Sequence, residues 1–321
     1  MMLLTLWNEK VEGKGEDALP ASLIDEENGT GIIAVADGLG GAGSTPYEIG
    51  EKIFSGAYLA SRLAIQITEQ TFVEQNPDLE SFAETLESNL RVGFQLKIAQ
   101  LDDKRSKLRT RLIKRLPTTL AGVVFRVQEG QTMAENLYHT EAFWAGDSRV
   151  YVLKKTGLQQ ISQDNLTQDL DAFENLLQDA PISNCISAEG DFQLFTQKII
   201  FREPIVLIAA TDGCFGYLPS PLHFEYYLLA TLHHPKICTL ELWQEALLWA
   251  FEANAGDDIS FALLTLGYAS LEELKFATLD RLIELKKLIF SQKTPQEQWE
   301  EYKSNYYELA NRNSVNFEKQ I

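Results

Sequence analysis

Four aspartates stand where apolar segments of the chain meet loops. Asp37 ends the run GIIAVA, Asp212 ends IVLIAAT, and Asp257 leads into ISFALLTL. Asp147 lies between the segments HTEAFWA and RVYVLKK. Neighbouring antiparallel strands run in opposite directions, so the end of one lies beside the start of the next. We therefore expect Asp37, Asp212 and Asp257 to converge on one rim of the fold.

Carboxylates gathered at one rim would make a cation site. They repel each other strongly unless a cation neutralises them, and oxygen-only ligands suit Mg²⁺, Mn²⁺ or Ca²⁺ rather than zinc. A single Asp-Gly after a strand is commonly no more than a turn. The prediction therefore depends on the combination of aspartates and not on any one of them.

Helical and strand patterns alternate unevenly along the chain, which indicates one large α+β unit with an appendage. Apolar residues at steps of three or four predict a helix over 46–72 and a second over 78–116, together covering one face of a sheet. The remaining predicted elements are strands at 2–7, 29–36, 119–127, 139–145, 149–155, 192–200, 205–211 and 259–267, and helices at 165–178, 221–232 and 239–254.

Residues 270–313 have a different character, with many Glu and Lys residues and apolar residues at helical spacing. They predict a pair of helices outside the main core, broken near Pro295. Trp299 would pack within the chain in preference to marking a partner surface. We accordingly divide the chain into a domain at 1–268 and a C-terminal helical extension at 269–321.

Composition limits the classes of partner and compartment. The formal charge of −18 would repel a phosphate backbone or an anionic membrane, although solubility alone is a sufficient reason for such an acidic chain. Three distant cysteines without metal-ligand spacing indicate a reducing compartment. The chain shows no signal peptide and no long apolar run, so we expect a cytoplasmic protein without membrane or nucleic-acid partners.

Several segments together resemble the PPM family, the metal-dependent, type 2C-like serine/threonine protein phosphatases. The resemblance covers about residues 1–267, and ADGLGG, GDSR and ATDG in combination are its most specific parts. The matching segments are GKGEDAL (13–19), AVADGLGG (34–41), PTTLAGVVF (117–125), WAGDSRVYVL (144–153), ISQDNL (161–166), AATDGCFGYL (209–218) and GDDIS (256–260).

The resemblance implies a four-layer α-β-β-α sandwich of two antiparallel sheets, with two Mg²⁺ or Mn²⁺ ions at one edge. Asp37 would bridge the ions, with the Gly38 carbonyl on one of them, while Asp212 and Asp257 would hold the other. Two ions about 3.5–4 Å apart lower the pKa of a bridging water, which then attacks phosphorus. The implied substrate is a phosphorylated protein, paired with a Ser/Thr kinase.

Further positions carry over with smaller implied roles. Glu16 would contact a metal through water, Asp17 would orient that shell, and Asp147 matches a third, weaker metal position. Arg149 would be structural and pair with a nearby carboxylate.

Other positions depart from the family pattern. The arginine that usually grips substrate phosphate is Glu12 here, which leaves Lys10 or Lys14 to substitute without a bidentate fork. Gly216 replaces a carboxylate of the third metal position, so a third ion is expected to bind weakly or not at all. These departures leave an alternative open, in which the chain is a pseudophosphatase or regulatory binding module. Its C-terminal helices would then bind a partner or self-associate.

Overall fold

The computed structural model describes residues 1–101, 114–132, 135–178 and 180–309. Two five-stranded antiparallel sheets form its centre. The first sheet has the order β1-β12-β11-β8-β9, with β1 at Met2–Asn8, β12 at Ile259–Leu266, β11 at Ile205–Ala210, β8 at Arg149–Lys154 and β9 at Gly157–Gln160. The second has the order β10-β7-β6-β3-β2, with β10 at Phe195–Phe201, β7 at Leu137–Ala145, β6 at Leu120–Gln128, β3 at Thr30–Val35 and β2 at Ala21–Asp25.

Helices lie on the outer faces of both sheets. Those of the described ranges are α1 (Gly56–Gln75), α2 (Phe82–Gln100), α3 (Ala172–Gln178), α4 (Pro221–Leu232), α5 (Leu240–Glu252), α6 (Leu271–Ile289) and α7 (Pro295–Tyr306). One apolar cluster fills the space between the sheets. A second lies between the second sheet and helices α1 and α2, and a third lies between the first sheet and helices α4, α5, α6 and α7. The predicted α-β-β-α sandwich is confirmed.

The helix predicted over 46–72 begins ten residues late, and the prediction for its first part is wrong. Residues 46–55 form a hairpin of β4 (Pro46–Ile49) and β5 (Lys52–Ser55), turned at Gly50 with a φ of 61°. The helix starts only where the Ser55 hydroxyl accepts a hydrogen bond from the Tyr58 amide at 3.0 Å. The apolar spacing of the first ten residues therefore belongs to a turn and not to a helix face.

Two other predicted helices are shorter than expected. Of the one predicted over 78–116, α2 covers residues 82–100, residues 102–113 lie outside the described ranges, and 114–116 are not helical. Of the one predicted over 165–178, only α3 forms. Residues 165 and 167 instead bond to the backbone of Ser183 and Pro181, and the Asp171 carboxylate caps the start of α3. Strands β2 and β9 were not predicted.

The interpretation that the C-terminal helices lie outside the main core is wrong. Trp299 of α7 is 0% exposed and belongs to the same apolar cluster as α4 and the first sheet, as its predicted intramolecular packing requires. Arg281 of α6 forms a two-pronged ion pair with the fully buried Glu225 of α4, at 2.7 and 2.9 Å. The predicted break near Pro295 is confirmed, since α7 starts there with Thr294 as its N-cap. The domain boundary at 268/269 stays a prediction.

Two further expectations concern the chain as a whole. The three cysteines are free, in agreement with the absence of a disulfide framework. Among the described residues, no helix has the length and apolar character needed to cross a bilayer.

Candidate metal centre

A cleft of about 630 Å³ opens at one edge of the sandwich, where both sheets contribute loops. The predicted metal ligands Asp37, Gly38, Asp147, Asp212 and Asp257 all line it. The other charged residues of its lining are Lys10, Lys14, Glu16 and Asp258. The convergence predicted from strand direction is therefore found, although it joins two sheets and not one rim of a single sheet.

Asp37 is fixed by Thr118 and Thr119, the two residues directly before β6. Its amide donates to the Thr119 hydroxyl at 3.1 Å, and its carbonyl accepts from the Thr119 amide at 2.8 Å and the Thr118 hydroxyl at 2.7 Å. Gly38 follows where the backbone passes too close to Ala57 for a side chain, since a Cβ there would lie 2.5 Å from the Ala57 carbonyl oxygen. The backbone of Asp37 and Gly38 is thus fixed at the edge of the cleft.

Asp212 follows β11 and Asp257 precedes β12, and these two strands are neighbours in the first sheet. The turn after Asp212 touches the segment before β12 so closely that a Cβ on Gly213 would lie 1.7 Å from the Asp258 carbonyl oxygen. Reciprocal bonds between Thr211 and Ser260, both at 3.0 Å, hold the two segments together. The Asp-Gly after β11 is needed for this close approach, which brings the two carboxylates to the same cleft.

Asp147 lies in the tight hairpin between β7 and β8. Gly146 has a φ of 106°, and its amide donates to the Asn165 side chain at 3.1 Å. Beside it, the buried Arg149 pairs with Asp164 through three contacts of 2.6–3.1 Å, which places Arg149 in the structural role implied for it. One carboxylate oxygen of Asp147, Oδ1, is buried without a hydrogen-bond partner among the described residues. An unpaired buried carboxylate oxygen is costly, and a cation would satisfy it.

Asp17 lies buried behind the cleft. Its Oδ2 accepts the Thr211 hydroxyl at 2.7 Å, and its carboxyl group is hydrogen-bonded to that of Asp37. Burial first, and then the charges of Asp212 and Asp258, raise its pKa well above the ordinary value. Glu16 sits at the half-buried wall of the cleft, where the Ser55 hydroxyl donates to its carboxylate.

The electrostatics of the cleft are those of carboxylates forced together. Burial and then the Asp17 charge raise the pKa of Asp37 well above its ordinary value. Burial and then the Asp212 charge raise the pKa of Asp147 to about 8. Crowded carboxylates that resist ionisation are stabilised in their charged form by a bound cation.

Asp258, which was not among the predicted site residues, organises the loop that carries Glu16 and Asp17. Its Oδ1 accepts the Lys10 amide at 2.8 Å, and its Oδ2 accepts the amides of Glu16 at 2.6 Å and Asp17 at 3.4 Å. The doubled aspartate in GDDIS was the available signal. Since the donors lie more than 240 positions away in sequence, no local pattern could assign this role.

The two candidate phosphate-binding lysines differ. The Lys10 ammonium donates to the Gly256 carbonyl and is therefore engaged in holding the loop before Asp257. Lys14 is exposed at the cleft, and its ammonium makes no ion pair or hydrogen bond with the residues that the structure describes. Glu12, at the position of the usual arginine, is exposed.

The donors fit a hard divalent cation by type, since they are carboxylate and carbonyl oxygens. One of them, Asp147 Oδ1, has no hydrogen-bond partner among the residues described. Over the described ranges, no three His, Cys, Asp or Glu side chains are already arranged to hold an ion.

Comparison with known families identifies this arrangement. The family model described as Protein phosphatase 2C matches residues 12–248, a range that includes Asp37, Asp147 and Asp212 and ends before Asp257. The chain belongs to the protein phosphatase 2C family. A search of curated proteins found no match.

Solved structures similar to this member of the family are bacterial serine/threonine phosphatases. The S. agalactiae serine/threonine phosphatase has a TM-score of 0.58 at 16% identity, over 82% of this chain and 98% of that one. The PPM Ser-Thr phosphatase MsPP from Mycobacterium smegmatis, in complex with cacodylate, has a TM-score of 0.54 at 13% identity, over 82% and 97%. The catalytic domain of PstP with two manganese ions has a TM-score of 0.51 at 14% identity, over 83% and 98%. These likenesses support the fold.

Proposed function

We propose that this chain is a metal-dependent phosphatase of phosphoserine and phosphothreonine in proteins, using water activated between two Mg²⁺ or Mn²⁺ ions. The observation that carries the proposal is the cleft in which Asp37, Asp147, Asp212 and Asp257 meet. Within the described ranges, one buried oxygen of Asp147 has no hydrogen-bond partner. The manganese ions in the PstP catalytic domain and the family membership support the choice of metal. A kinase acting on the same proteins would supply the substrate.

Each ligand has a proposed place. Asp37 and the Gly38 carbonyl would hold one ion, and Asp37, Asp212 and Asp257 would hold the other. Asp147 would contribute to a weaker third position, where Gly216 supplies no carboxylate. When bound, the ions lower the pKa of a water between them and neutralise charge on the phosphoryl oxygens.

The chain's own groups prepare the site for that chemistry. Asp17, which accepts a hydrogen bond from the Thr211 hydroxyl, lies beside the Asp37 carboxylate and would orient water around the ions, while Glu16 would contact that water. Lys14 lines the cleft and, among the residues that the structure describes, its ammonium makes no ion pair or hydrogen bond, so it could meet substrate phosphate, whereas Lys10 is held by Gly256. A lysine supplies a point charge without a fork, so we expect weaker phosphate binding than an arginine would give.

The test is hydrolysis of p-nitrophenyl phosphate and of a phosphothreonine peptide with Mn²⁺, with EDTA and Asp37→Ala as negative controls. Asp78→Ala, at an exposed aspartate that does not line the cleft, is the matched control and should keep full activity. Turnover that needs Mn²⁺ and disappears only in Asp37→Ala supports the proposal. Turnover that survives in EDTA or in Asp37→Ala refutes it.

A second function has specific support. Glu12 stands where a phosphate-gripping cation is expected, and the carboxylates are not arranged to hold a metal as they stand. A pseudophosphatase or regulatory binding module of this fold would bind Mn²⁺ in calorimetry yet hydrolyse neither substrate. The same assays therefore separate the two functions.

A further inference from the structure

Helix α6 carries a second apolar face that points away from the core. Phe276 is 85% exposed, Leu279 46%, Ile283 43%, and Phe290, directly after the helix, 71%. At 3.6 residues per turn these positions fall on one stripe about four turns long. We call Phe276, Leu279, Ile283 and Phe290 the α6 stripe. A helix that is apolar on two faces commonly packs on two sides.

The charges that flank the α6 stripe differ from the others on this helix, because they have no partner in the part of the chain that the structure describes. Lys275 pairs with Glu272, and Arg281 pairs with Glu225 and Glu284. Asp280, Lys286 and Lys287 are also exposed, yet none of them forms an ion pair or side-chain hydrogen bond within the described ranges. These charges of α6 therefore lie beside its exposed apolar surface, in which Phe290 also makes an edge-to-face contact with Tyr226 of α4, with ring centroids 6.1 Å apart.

The order of these groups along α6 would match that of a second α6 running antiparallel to it. Ile283 lies midway between Phe276 and Phe290, with an acidic residue, Asp280, on its N-terminal side and a basic residue, Lys287, on its C-terminal side. Two copies related by a twofold axis at Ile283 would run antiparallel. Phe276 would then meet Phe290 of the second copy, and Asp280 would meet its Lys287. Antiparallel helices also oppose their dipoles favourably.

We propose that α6 pairs with α6 of a second copy of this chain, forming a twofold symmetric dimer through the α6 stripe. Symmetric dimers bury the same patch on both subunits. In an antiparallel pair, the apolar residues of one α6 stripe would lie opposite those of the other, and the flanking acidic and basic residues would face each other. The stripe is small by the standard of stable complexes, so we expect a weak dimer with a dissociation constant in the micromolar range.

Sedimentation velocity over a concentration series in the micromolar range tests the proposal, because it reads mass and does not depend on phosphatase activity. The wild-type chain should shift from monomer to dimer. Ile283→Asp places two carboxylates against each other at the twofold axis and should leave a monomer. Trp249→Asp is the matched control, because Trp249 is 72% exposed on α5 and does not belong to the α6 stripe.

A charge exchange distinguishes pairing with a second copy from binding of a different protein. Asp280→Lys and Lys287→Asp should each weaken the dimer by about tenfold, since each turns two symmetric attractions into repulsions. The double variant should restore the dissociation constant to near the wild-type value. A chain that stays monomeric throughout the series overturns the proposal and leaves the stripe to another partner. A dimer that Ile283→Asp does not weaken, or single exchanges that the double variant does not rescue, overturns it as well.

Discussion

Replacing Trp299 by alanine tests whether the C-terminal helices are part of the folded core. The indole is fully buried among aromatic rings, with centroids 5.3 Å from Tyr306, 6.0 Å from Tyr302 and 6.5 Å from Phe173. Its Nε1 donates to Asp171 Oδ2 at 2.9 Å, which ties α7 to the start of α3. Trp299→Ala therefore removes both apolar contacts and a hydrogen bond across elements that are far apart in sequence.

Deleting a buried tryptophan side chain lowers the free energy of unfolding by about 3–5 kcal/mol. Domains of 150–250 residues lose roughly 2–4 °C in Tm for each kcal/mol, so we expect a drop of at least about 6 °C. Trp249→Ala is the matched control. Trp249 is exposed, and a surface substitution of this kind changes stability by no more than about 0.5 kcal/mol.

Differential scanning calorimetry of the wild type and both tryptophan variants measures this difference. The account predicts one transition in each protein, with Trp299→Ala shifted well below the other two. A Trp299→Ala transition within about 2 °C of wild type would refute the claim that α7 is part of the core, because the expected loss is several kcal/mol.

Three further predictions concern the cleft. Asp258→Ala leaves three backbone amides without an acceptor, so urea titration should show a loss of about 2–3 kcal/mol, and an unchanged midpoint would contradict the positioning role. Lys14→Ala should raise KM for a phosphothreonine peptide roughly tenfold with little change in kcat. Lys14→Arg, which keeps the positive charge, should keep KM near the wild-type value. A change confined to kcat would argue against phosphate binding by Lys14. Because the folded-state pKa of Asp147 is raised to about 8, the metal-free folded protein binds more protons than the unfolded chain, so its Tm should fall as pH rises from about 5 to 8. A rising Tm in EDTA over that interval would contradict the crowded-carboxylate description.

The parts of the fold that follow from local patterns could be predicted from the sequence. Strict alternation predicted strands β6, β7 and β8, and the direction of β3, β11 and β12 predicted that their terminal aspartates meet. The same reasoning could not place the hairpin at 46–55, because Ile49 and Ile53 match a helical period while Gly50 and the Ser55 cap determine the turn.

The rest depended on contacts between distant segments. Asp258 acts by accepting hydrogen bonds from backbone amides of the first loop of the chain. The sequence around Asp258 does not show which amides fold against it. The docking of the C-terminal helices depends on the ion pair between Arg281 and Glu225. Glu225 is a fully buried carboxylate on α4, and the other buried residues of that helix are apolar. Because α6 is apolar on two faces and charged between them, its composition suggested an appendage and not a layer of the core.

The central claim is that the cleft carboxylates form a divalent metal centre. Isothermal titration calorimetry of Mn²⁺ into the wild type and Asp212→Asn tests it most directly, with calorimetric melting to establish that the variant is folded. The account predicts Mn²⁺ binding to the wild type that is markedly weaker in Asp212→Asn, since the variant loses a ligand and part of the negative charge that attracts the ion. Absence of Mn²⁺ binding by the wild type, or equal affinity in the folded variant, would contradict it.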